Sequence, residues 1–100
     1  MVCAAAGQGY AQTLSIYQST KSVEQSTAII EANIKKSGLV YFETVSHDAI
    51  AAERGVKIGQ MREVLFEDGG LTTSLIECQP TTALDLPLKI LIWEENGDVY

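Results

Sequence analysis

The sequence predicts a single α+β domain, in which one antiparallel sheet carries helices packed on one face. Three observations support this prediction. Strand-like and helical segments alternate along the chain, an Asn-Gly hairpin signal follows the last apolar run, and 46% of the 100 residues are hydrophobic. This length and apolar fraction suit one globular core. Strands with segregated helices are typical of the α+β class.

The first eleven residues, MVCAAAGQGYA, are small and almost uncharged and carry no periodic pattern. Two interpretations of residues 1–11 stay open. They are a poorly ordered leader, or they are the remnant of a secretory signal, because Ala4-Ala5-Ala6 resembles a cleavage site. The α+β domain itself is expected over residues 12–100.

Residues 11–18 alternate polar and apolar side chains, which predicts a half-buried strand with Leu14 and Ile16 facing inward. A helix is expected to start at Ser22, because Ser22 and Gln25 have the spacing of a capping box. The helical stripe that faces the core is then Val23, Thr27, Ile30 and Ile34.

The outer face of this helix places Glu31 four residues before Lys35, the favourable order for an ion pair. Gly38 is expected to end the helix. Residues 39–45 are rich in β-branched and aromatic side chains, which predicts a strand. Strict alternation would put Leu39, Tyr41, Glu43 and Val45 on one face of that strand.

Ser46 is the expected N-cap of a short helix over residues 47–54, which Gly55 ends. Residues 61–67 predict a third strand, followed by a turn at residues 68–70.

Residues 71–79 suit either a strand or a helix, and we favour a short helix capped by Thr72 or Thr73. Pro80 is expected to stop it.

The most apolar stretch, residues 88–93, begins directly after Pro87, which has no N–H to donate to a neighbouring strand. It is expected to be the central strand, covered on both faces apart from Lys89. Asn96-Gly97 then suits the positive φ angles of a two-residue hairpin turn. Only two residues follow the hairpin signal at 94–98, so a return strand begins there or the parent protein is longer.

Thirteen acidic against seven basic side chains give a net charge of −6, which argues against a nucleic-acid partner. No run approaches the roughly 18 apolar residues that cross a bilayer. The sequence has no Gly-x-Ser-x-Gly, no phosphate-binding glycine loop and no Cys-x-x-Cys. We therefore expect no cofactor and assign no catalytic residue. Cys3 and Cys78 are expected to be free thiols, unless an oxidising compartment lets them pair.

Three segments resemble motifs of a known family. Residues 42–49, FETVSHDA, resemble its strand-to-helix junction containing a histidine, and residues 73–77, TSLIE, resemble its Thr-Pro-Leu-Met-Gln helix. Residues 83–94, ALDLPLKILIWE, resemble its Leu-Asp-Leu-Pro-Leu-Lys signature followed by an apolar strand. The family is the bacterial and archaeal one known as domain of unknown function 302.

The resemblance implies an α+β fold similar in topology to the TATA-binding protein, with frequent self-association and no settled activity. The likeness to the TATA-binding protein concerns fold alone and does not imply DNA binding. Two positions depart from the family pattern: Glu67-Asp68-Gly69 replaces Gly-Asn-Pro, and Ser74 replaces the helix proline.

His47, the only histidine, is the one candidate metal ligand, and it follows Glu43 by four residues. Histidine can bind a metal or transfer protons near neutral pH. The alternative is a histidine that packs or caps locally at a helix N-terminus. The family pattern also places a histidine there.

Asp85 and Lys89 flank Pro87 and could hold a polar ligand at the start of the apolar strand. The structural alternatives are an aspartate that fixes the bend and a lysine that extends into solvent. The acidic residues Glu63, Glu67, Asp68 and Glu77 do not have the spacing of a calcium loop and are expected to be solvated surface.

The leading hypothesis is a small non-catalytic binding or interaction domain that forms a homo-oligomer. Its partner copy would cover the sheet face without helices, where Tyr17 and Tyr41 are expected. The alternative is a protein that binds a small molecule, a metal or haem, or an enzyme, using His47 with Glu43 or Lys89. Both an exported or periplasmic and a cytoplasmic location fit the sequence.

Overall fold

The computed structural model describes residues 14–100. Its helices and strands are α1 (Val23–Lys36), β1 (Val40–Ser46), α2 (His47–Glu53), β2 (Met61–Glu67), α3 (Gly69–Cys78), a 3-10 helix (Pro80–Asp85), β3 (Leu88–Glu95) and β4 (Asp98–Val99). Within this range the four strands form one antiparallel sheet in the order β1-β2-β3-β4. The predicted α+β class is confirmed.

Helix α1 covers one face of the sheet and begins as its sequence predicts. The Ser22 hydroxyl accepts a hydrogen bond from the Gln25 N–H at 3.0 Å, and the Gln25 side chain accepts one from the Ser22 N–H at 3.3 Å. The predicted stripe is largely buried. The core consists of Val23, Ile34, Val64, Ile92 and Val99, with Ile30, Leu39, Tyr41, Phe66 and Ile90 packed against it.

A bulge in β1 changes which of its side chains share a face. Tyr41 pairs with Phe66 while Glu43 pairs with Leu65, so Phe42 is an extra residue. Tyr41 therefore packs against the core, and Glu43 lies on the opposite face. The prediction that Tyr41 and Glu43 share a face was wrong, as was the prediction of Tyr41 on the uncovered face, because one inserted residue reverses the alternation.

Tyr41 also contacts both residues of the predicted ion pair on α1. Its hydroxyl donates to the Glu31 carboxylate at 3.2 Å, and the Lys35 Nζ lies 4.6 Å from the centre of its ring. Glu31 and Lys35 thus hold the tyrosine between helix and sheet.

Residues 14–18 form no strand, contrary to the alternation of their side chains. Leu14 is 80% exposed and Tyr17 is 78% exposed. Only Ser19 makes a bridge, to Val99, with its N–H donating to the Val99 carbonyl at 2.7 Å. An alternating pattern forms a strand only beside a partner strand, and among residues 14–19 the bridge is limited to Ser19.

Helix α3 begins at Gly69, which is two residues before the predicted start at residue 71 and lies within the turn predicted at residues 68–70. Asp68 caps it by accepting from the Leu71 N–H at 3.1 Å, in place of Thr72 or Thr73. The helix packs mainly against the 3-10 helix that begins at Pro80. Cys78, at its end, is disulfide-bonded, which corrects the expectation of a free thiol there. Cys3 lies outside the described residues, as do residues 1–11, predicted to be a disordered leader or a signal remnant.

Strand β3 is less central than its composition predicts. Strand β2 is paired on both sides along its length, whereas β4 pairs only with Glu94 and Glu95 of β3. Leu91 is 42% exposed, so β3 is not covered on both faces. The hairpin turn is confirmed, because φ is +53° at Asn96 and +85° at Gly97. Between residues 14 and 100 no helix is both long and apolar enough to span a bilayer.

Candidate functional site

The register of the sheet divides its side chains between two faces. Directly paired residues share a face, and Thr44, Val64 and Ile90 are paired across the three main strands beneath α1. The opposite side is called the outer face here. Its residues are Val40, Glu43, Val45, Met61, Glu63, Leu65, Glu67, Lys89, Leu91 and Trp93.

One polar contact on the outer face joins α2 to β2. The His47 Nε2 lies 2.7 Å from the Glu63 Oε1, with side chains 39% and 23% exposed. In the tautomer that carries the proton on Nε2, the ring donates to Glu63 and Nδ1 is the nitrogen left for another ligand. His47 is placed here because β1 ends at Ser46 and α2 begins immediately after it.

The structure brings three of the four predicted site residues to one face. Glu43 and Lys89 both pair with Leu65, one from each side, which puts their backbones about 10 Å apart. Within residues 14–100, no hydrogen bond or ion pair joins Glu43, His47 and Lys89 to one another. Their arrangement is a polar surface around Leu65.

Asp85, the fourth predicted residue, belongs to the 3-10 helix and not to a strand of the sheet. It is exposed at the end of the 3-10 helix. No hydrogen bond or ion pair among residues 14–100 joins it to Lys89.

Asp48 forms a second polar group at the start of β2. Its Oδ1 accepts from the Met61 N–H at 3.1 Å and from the Ser46 hydroxyl at 3.0 Å, and the Arg62 guanidinium pairs with it. Ser46 therefore bonds this carboxylate instead of capping α2.

These contacts determine the ionisation of Asp48. Burial raises its pKa, but the hydrogen bonds from Met61 and Ser46, with a backbone N–H of Asp48 itself, lower it further than burial raises it. The charge of Arg62 acts in the same direction, so the pKa lies below its ordinary value of 3.8. The group holds the start of α2 against the start of β2.

The sequence did not predict the contact of Glu63 with His47 or that of Arg62 with Asp48. Glu63 was grouped with Glu67, Asp68 and Glu77, but it bonds His47 and Asp68 caps α3. Among the described residues, no group of three or more His, Cys, Asp or Glu side chains could hold a metal ion. Only the pairing of β1 with β2 shows that Glu63 reaches His47, and the linear sequence does not contain that register.

An apolar slot of about 360 Å³ lies beside β3. It is lined by residues 15–19, by Ile29 and Ile30 of α1, and by residues 90–93 and Tyr100. The Trp93 and Tyr100 rings lie 5.4 Å apart, centre to centre. We call this feature the β3 slot.

The family of this chain follows from a sequence comparison. A family model described as "Domain of unknown function DUF302" matches residues 16–100. The chain belongs to the DUF302 family. The resemblance based on residues 42–49, 73–77 and 83–94 is thereby confirmed.

The DUF302 chain is also similar to segments of larger proteins. It is 31% identical over 84 residues to "Fluoride-specific ion channel FluC 1" of Brucella suis biovar 1 (strain 1330), covering 83% of the chain and 33% of that protein. It is also 31% identical over 84 residues to "Fluoride-specific ion channel FluC 2" of Brucella melitensis biotype 1. That match covers 83% of the chain and 31% of the Brucella melitensis protein. The chain thus spans about a third of the length of these curated relatives.

A solved DUF302 structure has the same fold. The crystal structure of an uncharacterized conserved DUF302 protein from Bacillus stearothermophilus superposes with a TM-score of 0.76 at 15% sequence identity. The alignment covers 83% of this chain and 66% of that one.

Proposed function

We propose that this DUF302 chain is a non-catalytic interaction domain that self-associates through the outer face of its sheet. The observation that carries the proposal is the composition of that face. Half-exposed apolar side chains, Leu91 among them, lie next to acidic and basic groups on both sides of Leu65. A mixed apolar and polar patch of this kind is typical of a protein–protein interface.

The charges around Leu65 favour a second copy as the partner. A two-fold axis parallel to β2 would place β1 of each copy against β3 of the other. Glu43 of one copy would then face Lys89 of its partner, twice in each dimer, while the Leu65 side chains meet near the axis. Aligned sheets that pack face to face lie about 10 Å apart, within reach of these two long side chains.

The curated relatives give additional support. Sequence similar to this domain accounts for about a third of proteins named as fluoride-specific ion channels. Similarity confined to one segment of a larger chain is typical of a separable domain, and a separable interaction domain is what we propose for this protein.

The test is a charge exchange between Glu43 and Lys89, measured by sedimentation equilibrium across the micromolar range. Both residues are exposed, so their substitution leaves the core intact. Glu43→Lys and Lys89→Glu each place like charges together and should weaken the dimer about tenfold. The double variant Glu43→Lys/Lys89→Glu should restore the affinity.

Glu53→Lys is the matched control, because it makes the same charge change at an exposed position on α2. It should leave the dimer intact. A monomer at every concentration contradicts the proposal, and so does a double variant no tighter than the two single ones.

A second candidate function rests on His47 and Glu63. A histidine whose Nε2 donates to a carboxylate, leaving Nδ1 available, has the arrangement common to metal-binding histidines. A second copy would have to supply further ligands. The same candidate function includes the binding of haem or of a small ligand by His47 together with Glu43 or Lys89.

Calorimetric titration with Zn²⁺ tests this candidate. Wild-type protein should bind Zn²⁺, His47→Ala should abolish binding, and Glu63→Gln should weaken it about tenfold. Equal heats of Zn²⁺ binding for the wild-type protein and His47→Ala would contradict a metal-binding role for His47.

A further inference from the structure

The register of the sheet arranges the outer face in rows that cross its three main strands. Directly paired residues lie side by side on one face, so each row has one end on β1 and the other on β3. The members of the first row are Glu43, Leu65 and Lys89. The members of the second row are Val45, Glu63 and Leu91.

A third row lies two residues further along the strands. Met61 of β2 pairs with Trp93 of β3. His47 follows β1 at the position opposite Met61, and its Nε2 contacts the Glu63 carboxylate of the second row at 2.7 Å. The Tyr100 ring lies 5.4 Å from the Trp93 ring, centre to centre, and supports the indole. An imidazole and an indole therefore stand at the β1 and β3 ends of one row.

The two-fold axis proposed above exchanges the two ends of every row. Because the axis runs parallel to β2, each residue keeps its height along the strands, and β1 of one copy lies over β3 of the other. Val45 then meets the partner's Leu91, which is 42% exposed in the single chain. By the same operation, His47 meets the partner's Trp93.

We propose that the His47 imidazole packs on the partner's Trp93 indole and is a specificity-determining contact of the outer-face dimer. The contact rests on the self-association proposed above, and it identifies residues that select a second copy as the partner. All three rows then join complementary groups: opposite charges, aliphatic side chains and aromatic rings. Aromatic pairs contribute more than the area they bury, and tryptophan is enriched among the residues that dominate interface affinity.

The His47–Glu63 hydrogen bond relieves a conflict that the same axis creates. Glu63 lies on β2 and therefore close to the axis, where the partner's Glu63 carries the same charge. The bond to His47 draws the carboxylate toward the β1 side of its own sheet. The two-fold axis draws the partner's carboxylate the opposite way, so the two charges move apart.

Mixing two single variants tests the contact by sedimentation equilibrium. His47→Ala and Trp93→Leu should each weaken the dimer about tenfold, because each variant breaks both symmetry-related contacts. In a mixed dimer, Trp93 of the first variant still meets His47 of the second. The mixture should therefore associate about threefold more tightly than either variant alone, since one of the two contacts remains.

Leu84→Ala is the matched control, because it shortens an exposed apolar side chain on the 3-10 helix, outside the rows. It should leave the affinity unchanged, both alone and mixed with either variant.

Trp93 is the only tryptophan of the chain, so its fluorescence gives a second readout without altering the indole. Indole emission moves to shorter wavelengths when water is excluded from the ring. The emission of the wild-type protein should therefore shift as the concentration rises through the range of dimerisation. Glu43→Lys should move this shift to about tenfold higher concentration, because it weakens the dimer without touching Trp93.

Two outcomes would overturn the contact and leave outer-face association intact. One is a wild-type dimer whose Trp93 emission equals that of the monomer. The other is a mixture of folded His47→Ala and Trp93→Leu that associates no more tightly than either variant alone. In both cases the charge exchange between Glu43 and Lys89 can still succeed. A wild-type protein that stays monomeric would refute the outer-face dimer and this contact together.

Discussion

At the scale of single residues, side-chain contacts across the chain override local preferences. Ser46 is an N-cap by sequence, but its hydroxyl bonds the Asp48 carboxylate. Glu31 and Lys35 are spaced for an ion pair, but both contact Tyr41. The folded sheet brings Tyr41 to α1, whereas Asp48 lies two residues from Ser46 and is also bonded by Met61 and Arg62 of β2. These contacts are therefore outside what spacing along a helix can predict.

Asp48 yields a pH-dependent prediction at this scale. Its pKa is lowered in the folded protein, so the stabilisation is complete above about pH 5 and is lost as the pH falls through the folded pKa. Asp48→Asn should lower the free energy of unfolding by about 1 kcal/mol at neutral pH, because hydrogen bonds to a charged acceptor are the stronger ones.

Urea unfolding of both proteins between neutral pH and about pH 3 provides the measurement. The difference between wild type and Asp48→Asn should shrink as Asp48 becomes protonated. Asp85→Asn makes the same change at an exposed site and should stay within about 0.5 kcal/mol of wild type at every pH. A difference for Asp48→Asn that stays constant down to about pH 3 would refute the assignment.

At the scale of helices and strands, the sequence predicts elements well where the signal is local. The capping box of α1, the strand at 61–67 and the Asn96-Gly97 turn are all confirmed. The predictions fail where pairing with another strand decides the local structure. The bulge at Phe42 reverses the faces of β1, and residues 14–18 lack a strand beside them. Neither the register of β1 nor the absence of a strand beside residues 14–18 can be predicted from the segment itself.

The loop before β2 makes a close approach to β3 that gives a prediction at this scale. A Cβ on Gly59 would lie 2.6 Å from the Glu94 carbonyl oxygen, a backbone atom that cannot move alone. Gly59→Ala should therefore destabilise the protein by about 1–3 kcal/mol, since the loop or the strand must shift.

Gly70→Ala is the matched comparison in thermal unfolding. Its nearest atom would be an Asp68 carboxylate oxygen at an ordinary 3.7 Å, and alanine favours the helix that contains it. This variant should be neutral or slightly more stable. Equal destabilisation of both variants would show that the close approach at Gly59 does not restrict the loop.

At the scale of the whole molecule, the resemblance to DUF302 gave the family and the α+β sheet, and both are confirmed. The similarity to the TATA-binding protein stays a prediction, as do the location of the protein and its lack of a cofactor. Of the candidate site, Glu43, His47 and Lys89 share the outer face, whereas Asp85 belongs to the 3-10 helix. The sequence identified these polar residues, but their grouping depends on strand register.

The outer face is the feature from which the proposed function follows. It combines apolar side chains with opposite charges that a two-fold axis along β2 would bring together. The His47–Glu63 pair lies on this face and can be tested separately, whereas the β3 slot lies beside β3.

Sedimentation equilibrium of Glu43→Lys/Lys89→Glu beside its two parent single variants tests this account most directly. We predict that the wild-type protein and the double variant form dimers of similar affinity, with each single variant about tenfold weaker. A wild-type protein that sediments as a monomer throughout the micromolar range would contradict self-association through the outer face, and so would a double variant no tighter than the two single variants.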